Sequence, residues 1–280
     1  MGAARNWLIG CGVGCGAVIL LGALLIGGGA YWIRGLVHRF DDATERVDAL
    51  EERYGPAEDW TPPPRGAVAA DRLEAFLAVR DSTAALRARF EETFASFERL
   101  EERDRAQQKP DFTDILRAVR GGLGIAPLIG DFLATRAAAL DAAGMGLGEY
   151  TYIYALSYYG YLGKDPDSGP ENAQVQDDDF DPDVRRRAHR LLLAMLHNQR
   201  AAANAAGLAP SWRDSLDAEI AALEQDRHRI PWQDGLPPAI AGSFAPYRER
   251  LETTWSEAAN VFELGRLRRG ERRVEIDLGQ

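Results

Sequence analysis

The residues best spaced to act together chemically are the tyrosines of the run YTYIYALSYYGY at 150–161. Tyr150, Tyr154, Tyr158 and Tyr161 recur at intervals of four and three, so on a helix they form one stripe of rings. Each ring carries a hydroxyl that needs a partner once buried. Such a stripe can line a ligand pocket, stack against a sugar or meet a protein partner. Glu149, just before it, is a carboxylate favoured at a helix start. The plainer alternative is an aromatic core seam facing the Phe-rich stretch 86–100.

Other groupings carry less. His38, His189, His197 and His228 fit neither a metalloprotease spacing nor a Glu-x-x-His pair. His189 and His197 share roughly one helical face but lack a third ligand, so they read as satisfied boundary histidines. Asp177, Asp179, Asp181 and Asp183 alternate in DDDFDPD and offer oxygens suited to calcium, yet the EF-hand glycine and final glutamate are missing. A solvated loop with a helix cap accounts for them better. Gly121-Gly122-Leu-Gly124 and Gly144-Met-Gly146-Leu-Gly148 lack the strand and lysine of a phosphate loop and read as helix breakers. There is no Gly-x-Ser-x-Gly elbow. The sequence therefore names no catalytic residue, no metal ligand and no cofactor.

The chain that must position these groups has 280 residues, with 43 acidic against 33 basic side chains and a net charge of −10. All the acidic residues follow residue 33, and this balance argues against a nucleic-acid partner. Cys11 and Cys15 are the only cysteines, so no disulfide framework holds the body together.

From Trp7 to Ile33 the chain carries no charge: WLIGCGVGCGAVILLGALLIGGGAYWI. At the α-helical rise these 27 residues reach about 40 Å, beyond the roughly 30 Å hydrocarbon core, and read as a transmembrane helix. Trp7 at one end and Tyr31 with Trp32 at the other supply interfacial belts, and Arg5 and Arg34 close the run. Arg34 follows bulky aromatics, which argues against a cleaved signal. Leu8-Ile9-Gly10-Cys11 resembles a lipoprotein box, but the apolar run follows the cysteine instead of preceding it. Gly10/Gly14 and Gly12/Gly16 repeat the small-xxx-small spacing that lets another helix approach closely, although glycine is common in membrane helices generally. A short N-terminal tail and a cysteine-free acidic body favour an extracytoplasmic, periplasmic domain over a cytoplasmic one.

Beyond the membrane, Leu36, Phe40, Ala43, Val47, Leu50 and Tyr54 mark a heptad seam, a helical stalk ending at Gly55-Pro56. Trp60-Thr-Pro-Pro-Pro64 enforces an extended linker. Asp71 with Glu74 has the form of a capping box and opens a second long helix to about Gln107, which suggests a protruding hairpin or coiled-coil arm. Periodicity then predicts a helix at 111–120 ended by Gly121-Gly122, and another from Pro127, broken near 144–148 and resuming at Glu149. A loop at 164–183 follows, then two antiparallel helices, one on the Val184–Ala205 seam and one from Ser211. The last helix runs from Pro246 through Leu264. No alternating strand pattern occurs, so the fold class is all-α.

The organisation is thus a tail at 1–6, a transmembrane helix at 7–33, a stalk at 34–55, a Pro-rich linker at 56–68, a helical domain at 69–264 and a basic tail from 265. Arg266, Arg268, Arg269, Arg272 and Arg273 in that tail suit acidic headgroups or an acidic partner, or simply solvent. The favoured reading is a single-pass scaffold, held in the lipid bilayer, that docks a protein partner as a homodimer or within a larger membrane complex. The alternative is an envelope ligand-binding or hydrolytic protein whose pocket is lined by the Tyr150–Tyr161 cluster.

Overall fold

The absence of a strand signal is matched in three dimensions: a computed structural model describes residues 41–105, 112–169 and 184–264, and every element among them is helical. For 97–105, 112–124 and 126 only the backbone is described. No helix among the described residues is long and apolar enough to cross a membrane. The apolar run 7–33 with its glycines and belt aromatics, His38, the acidic run 177–183 and the arginine tail lie outside the described residues.

Helix α1 (41–54) ends where expected, because Gly55 takes φ +82 and its N–H returns to the Glu51 carbonyl. Its seam is not left free as a stalk. Ala43, Val47 and Leu50 are buried, and α1 lies along α4 (Phe112–Ala142). Asp42 and Arg46 face residues 130–138, and Arg53 pairs with Asp141 at 2.6 Å, so the two helices run parallel.

The Pro-rich segment is extended but strapped down. Several of its carbonyls are met by side chains from other elements. From α6 (Val184–Ala205), Asn198 donates to Trp60 at 3.3 Å and Gln199 to Pro63 at 3.0 Å. From α7 (Pro210–Gln225), Trp212 donates to Pro64 at 2.8 Å, and the Tyr152 hydroxyl reaches Gly66 at 3.1 Å. The strap leaves no space at Gly148, where a Cβ would come within 2.6 Å of the Ala57 carbonyl oxygen and 2.4 Å of the Trp60 Cβ. Gly148→Ala is expected to lower stability by about 1–3 kcal/mol through overpacking. Gly242→Ala, in α8 (Pro238–Phe244) with nothing nearby, should gain about 0.5–1 kcal/mol from helix propensity. Urea midpoints of the two variants read the difference, and equal midpoints would refute the close approach.

The long helix from Asp71 is divided. α2 (Ala70–Ser82) and α3 (Ala84–Arg105) are separated at Thr83, whose φ of −98 and ψ of 2 leave the helical ladder. The Thr83 hydroxyl donates to the Arg80 carbonyl at 3.0 Å, and Arg87 donates to the same carbonyl and to Thr83 Oγ1, giving these groups a local alternative to the ladder. The capping box does not form: Ala69 is the N-cap without a side-chain bond, and Glu74 instead reaches Arg250 at 2.7 Å.

Conversely, α4 is one helix through Gly121-Gly122 and Pro127, where the sequence predicted a break. Each glycine costs about 1 kcal/mol and the proline about 3. The face beyond them, Leu128, Ile129, Phe132, Leu133, Ala137 and Leu140, is buried and outweighs that cost. α3 returns antiparallel to α4, with Phe90 edge-on to Phe132 at 5.7 Å.

Gly144, at φ +59, closes α4, and α5 (Leu147–Tyr154) begins two residues before the expected Glu149. It widens at Ala155–Tyr161 into π-helical turns, with the Leu162 N–H bonded to Ser157 five residues back. α6 and α7 are neighbours as expected, joined through Gly207 at φ +60. The helix expected from Pro246 through Leu264 is instead two, α9 (Arg248–Thr254) and α10 (Glu257–Glu263), and α8 precedes it, joined to α9 by a 3₁₀ turn. Trp255 is extended, and Ser256 caps α10 by accepting from the Ala259 N–H at 3.2 Å while donating to Glu91 at 2.6 Å.

Candidate functional site

Four helices converge on the end of α10. α2 shows apolar spacing at Leu73, Phe76 and Leu77, and the next position on that face is Arg80, which is 0% exposed. α4 repeats the pattern, with Ile129, Phe132 and Leu133 followed by buried Arg136. Each seam therefore carries a guanidinium into the core, where a charge must be paired and hydrogen-bonded. α10 supplies the counter-charge, Glu263, also fully buried.

Arg80 Nη1 is ion-paired with Glu263 Oε1 and donates to the Tyr150 hydroxyl at 3.2 Å, while Nε donates to the Tyr158 hydroxyl at 3.2 Å and Nη2 to the Thr254 carbonyl. The Tyr150 hydroxyl donates to Glu263 Oε2 at 2.6 Å. Arg136 donates to the carbonyls of Phe262, at 3.0 Å, and Glu263, and Arg187 of α6 donates to Leu264 at 2.8 Å. These carbonyls terminate α10, so the cations sit at the negative end of its dipole. Beside them, Asn260 accepts from the Tyr154 and Tyr159 hydroxyls at 3.0 and 2.9 Å and donates to Pro166 at 2.8 Å and Ser168 at 3.0 Å. The π-helical widening makes this possible, because it carries Tyr159, five residues on, to the same oxygen as Tyr154.

The environment acts strongly on these groups. Burial disfavours the Arg80 charge, but the Glu263 carboxylate and the surrounding phenols more than offset it and raise its pKa well above the usual value. Burial raises the Tyr150, Tyr152, Tyr154 and Tyr159 phenols above their ordinary range, with Glu263 adding to the effect at Tyr150 and Tyr159. All four are therefore kept neutral as hydrogen-bonding groups.

The tyrosine stripe is split by this arrangement. Tyr150, Tyr154 and Tyr158 are at most 1% exposed, and Tyr158 also shares a 2.8 Å bond with the Thr254 hydroxyl. Tyr161 lies at the edge, its ring 5.8 Å from Phe244 and under Arg248. Glu149 faces outward and takes a two-pronged bond from Arg72, at 2.6 and 2.7 Å. The partner of the stripe is Phe76 of α2, 5.2 Å from Tyr150, while Phe90 stacks on Phe262.

The histidines are not brought together: His189 bonds to the Arg229 carbonyl at 2.9 Å, while exposed His197 lies 3.4 Å from Glu224. Among the described residues no three His, Cys, Asp or Glu side chains gather as a metal site. An open groove of about 310 Å³ lies between α1 and α4, walled by Asp42, Arg46, Gly130, Asp131 and Thr135, with no tyrosine of the stripe in its lining.

Arg80, Arg136, Asn260 and Glu263 were not singled out by sequence spacing, although a lone charged residue on each apolar seam was the available signal. Their arrangement fixes α10 against α2, α4 and α5. No family model, curated protein or solved structure matches the chain.

Proposed function

We propose that the protein is a single-pass, membrane-anchored helical scaffold that docks a protein partner or stabilises a larger membrane complex. In this reading residues 7–33 span the bilayer and the acidic body lies on the extracytoplasmic side. The observation that carries the reading is the junction: an uncharged 27-residue run stops seven residues before α1, whose apolar face is buried along α4. A force or contact at the anchor is thereby passed to a body whose interior cations are tied to α10. Gly10, Gly12, Gly14 and Gly16 supply the close-approach face for a second membrane helix.

Carbonate-washed membranes should retain the full chain. Leu20→Arg combined with Leu21→Arg should release it, since each arginine at a helix centre costs about 2.5–3.5 kcal/mol of insertion. Protease added to sealed right-side-out vesicles should remove the body if it is extracytoplasmic. Recovery of the native chain in the soluble fraction, or a detergent particle containing one chain and nothing else, would overturn the scaffold reading.

A further inference from the structure

We propose that the edge of the Arg87 guanidinium formed by Nε and Nη2 binds a small oxyanion, a carboxylate or a phosphate group. The site lies at the junction of α2 and α3 and does not depend on how the chain meets a membrane.

Arg87 stands in the first turn of α3, just past the break at Thr83, and is only 6% exposed. One nitrogen fixes it: Nη1 donates to the Arg80 carbonyl and, at 2.6 Å, to Thr83 Oγ1. Nε and Nη2 donate to no atom of the protein. Neither belongs to the unpartnered atoms sealed inside the core, so the edge they form still meets solvent. These two nitrogens carry the parallel N–H pair that matches two oxygens of one carboxylate or phosphate.

Elsewhere in the molecule the same edge is filled in that way. Arg72 gives it to both oxygens of Glu149, at 2.6 and 2.7 Å, and Arg229 to both of Glu219, each at 3.1 Å. Arg200 gives it to both oxygens of Asp217. Arg87 is the most buried of the four, where an uncompensated charge costs most.

No carboxylate among the described residues takes that part for Arg87. Glu91, one turn on, is turned to α10, where it accepts from Ser256 Oγ at 2.6 Å and from the Ala258 N–H at 3.3 Å. Glu263 has both oxygens engaged, one by Arg80 and the other by Tyr150. The first turn of α3 holds no acidic residue, so the Arg87 cation adds to the positive end of the helix dipole instead of neutralising it. Burial and the neighbouring Arg80 cation accordingly hold Arg87 below the ordinary guanidinium range. An oxyanion on the open edge supplies the missing charge and satisfies the idle donors together. With so little of the residue exposed, the edge suits a small ion and not a broad protein surface.

The test uses the full chain in neutral detergent at fixed ionic strength, with sodium phosphate or sodium acetate replacing sodium chloride. The urea midpoint is followed as each anion is raised, because a ligand that binds only the folded chain raises stability with the logarithm of its concentration. Phosphate also strengthens apolar burial in general, so the readout is the difference in slope between wild type and Arg87→Gln. The expected result is a midpoint that climbs more steeply in wild type, with phosphate, acetate or both, and the anion that acts identifies the group. Arg87→Lys keeps the charge without the fork and should weaken the apparent affinity several-fold, which preserves the comparison if the glutamine variant does not fold. No climb in wild type beyond that in chloride, or a slope unchanged by either substitution, would overturn the site.

Discussion

Glu263→Ala is expected to lower stability by about 3–5 kcal/mol, the usual cost of leaving a buried charge unpaired. Arg80 and Arg136 both lie within reach of this carboxylate and are at most 2% exposed, so its removal takes the paired anion from Arg80 and a nearby one from Arg136. The loss is a large share of the roughly 5–15 kcal/mol that typically separates folded from unfolded chains. Glu263→Gln keeps the shape and an acceptor for Tyr150, but not the charge, and should fall between wild type and alanine. Pairing Glu263→Leu with Arg80→Met should be less damaging than either single change, because an apolar pair removes both desolvation penalties. Urea midpoints would report the series. A shift for Glu263→Ala no larger than that for Arg250→Ala, whose partners Glu74 and Asp81 are exposed, would show that the buried pair does not hold α10.

How far the sequence disclosed this centre depends on the kind of signal. Helical class came through because apolar spacing runs along whole elements and burial averages over many residues. The ends of helices were harder, since they turn on one or two groups. Gly55 and Gly207 marked true ends because a left-handed residue needs glycine there. Gly121 and Pro127 did not, since packing of the later half of α4 outweighs their local cost. Ser256, read from the sequence as lying inside one long helix, is an N-cap that accepts from Ala259 three residues on, and the C-terminal segment splits there.

The tyrosine stripe was visible in the spacing, but its register was not. Four-and-three spacing assumes one helical period, and the π-helical widening after Tyr154 changes which rings are neighbours. Tyr159, outside the predicted stripe, shares Asn260 with Tyr154, while Tyr161, inside it, sits at the edge with Arg248. The charged members were hidden for a different reason. Arg80 and Glu263 are separated by 183 residues, so nothing local could announce the pair. Each betrayed itself only as a charge standing where its own helix should be apolar.

Alkali should unfold the protein in a single cooperative step above about pH 10, the ordinary phenol pKa. Burial raises the Tyr150, Tyr152, Tyr154 and Tyr159 pKa values in the fold, so these rings keep their protons when those of the unfolded chain are already lost. The native state then binds four more protons than the unfolded state, and stability falls as pH rises. The contribution is fully present below pH 10 and drains away above it by about 5–6 kcal/mol per pH unit, at about 1.4 for each phenol. One to two pH units would consume a typical domain's stability before the buried rings could titrate in place. Phenolate absorbance from these four should therefore rise together with the loss of helical circular dichroism. Tyr152→Phe removes one phenol whose hydroxyl bonds the Gly66 carbonyl at 3.1 Å and the Gln199 side chain, so it should flatten the pH slope by about a quarter. Phenolate appearing gradually, with helicity intact, would mean that the buried rings ionise in the native state, and the dry, proton-holding core around Glu263 would have to be abandoned.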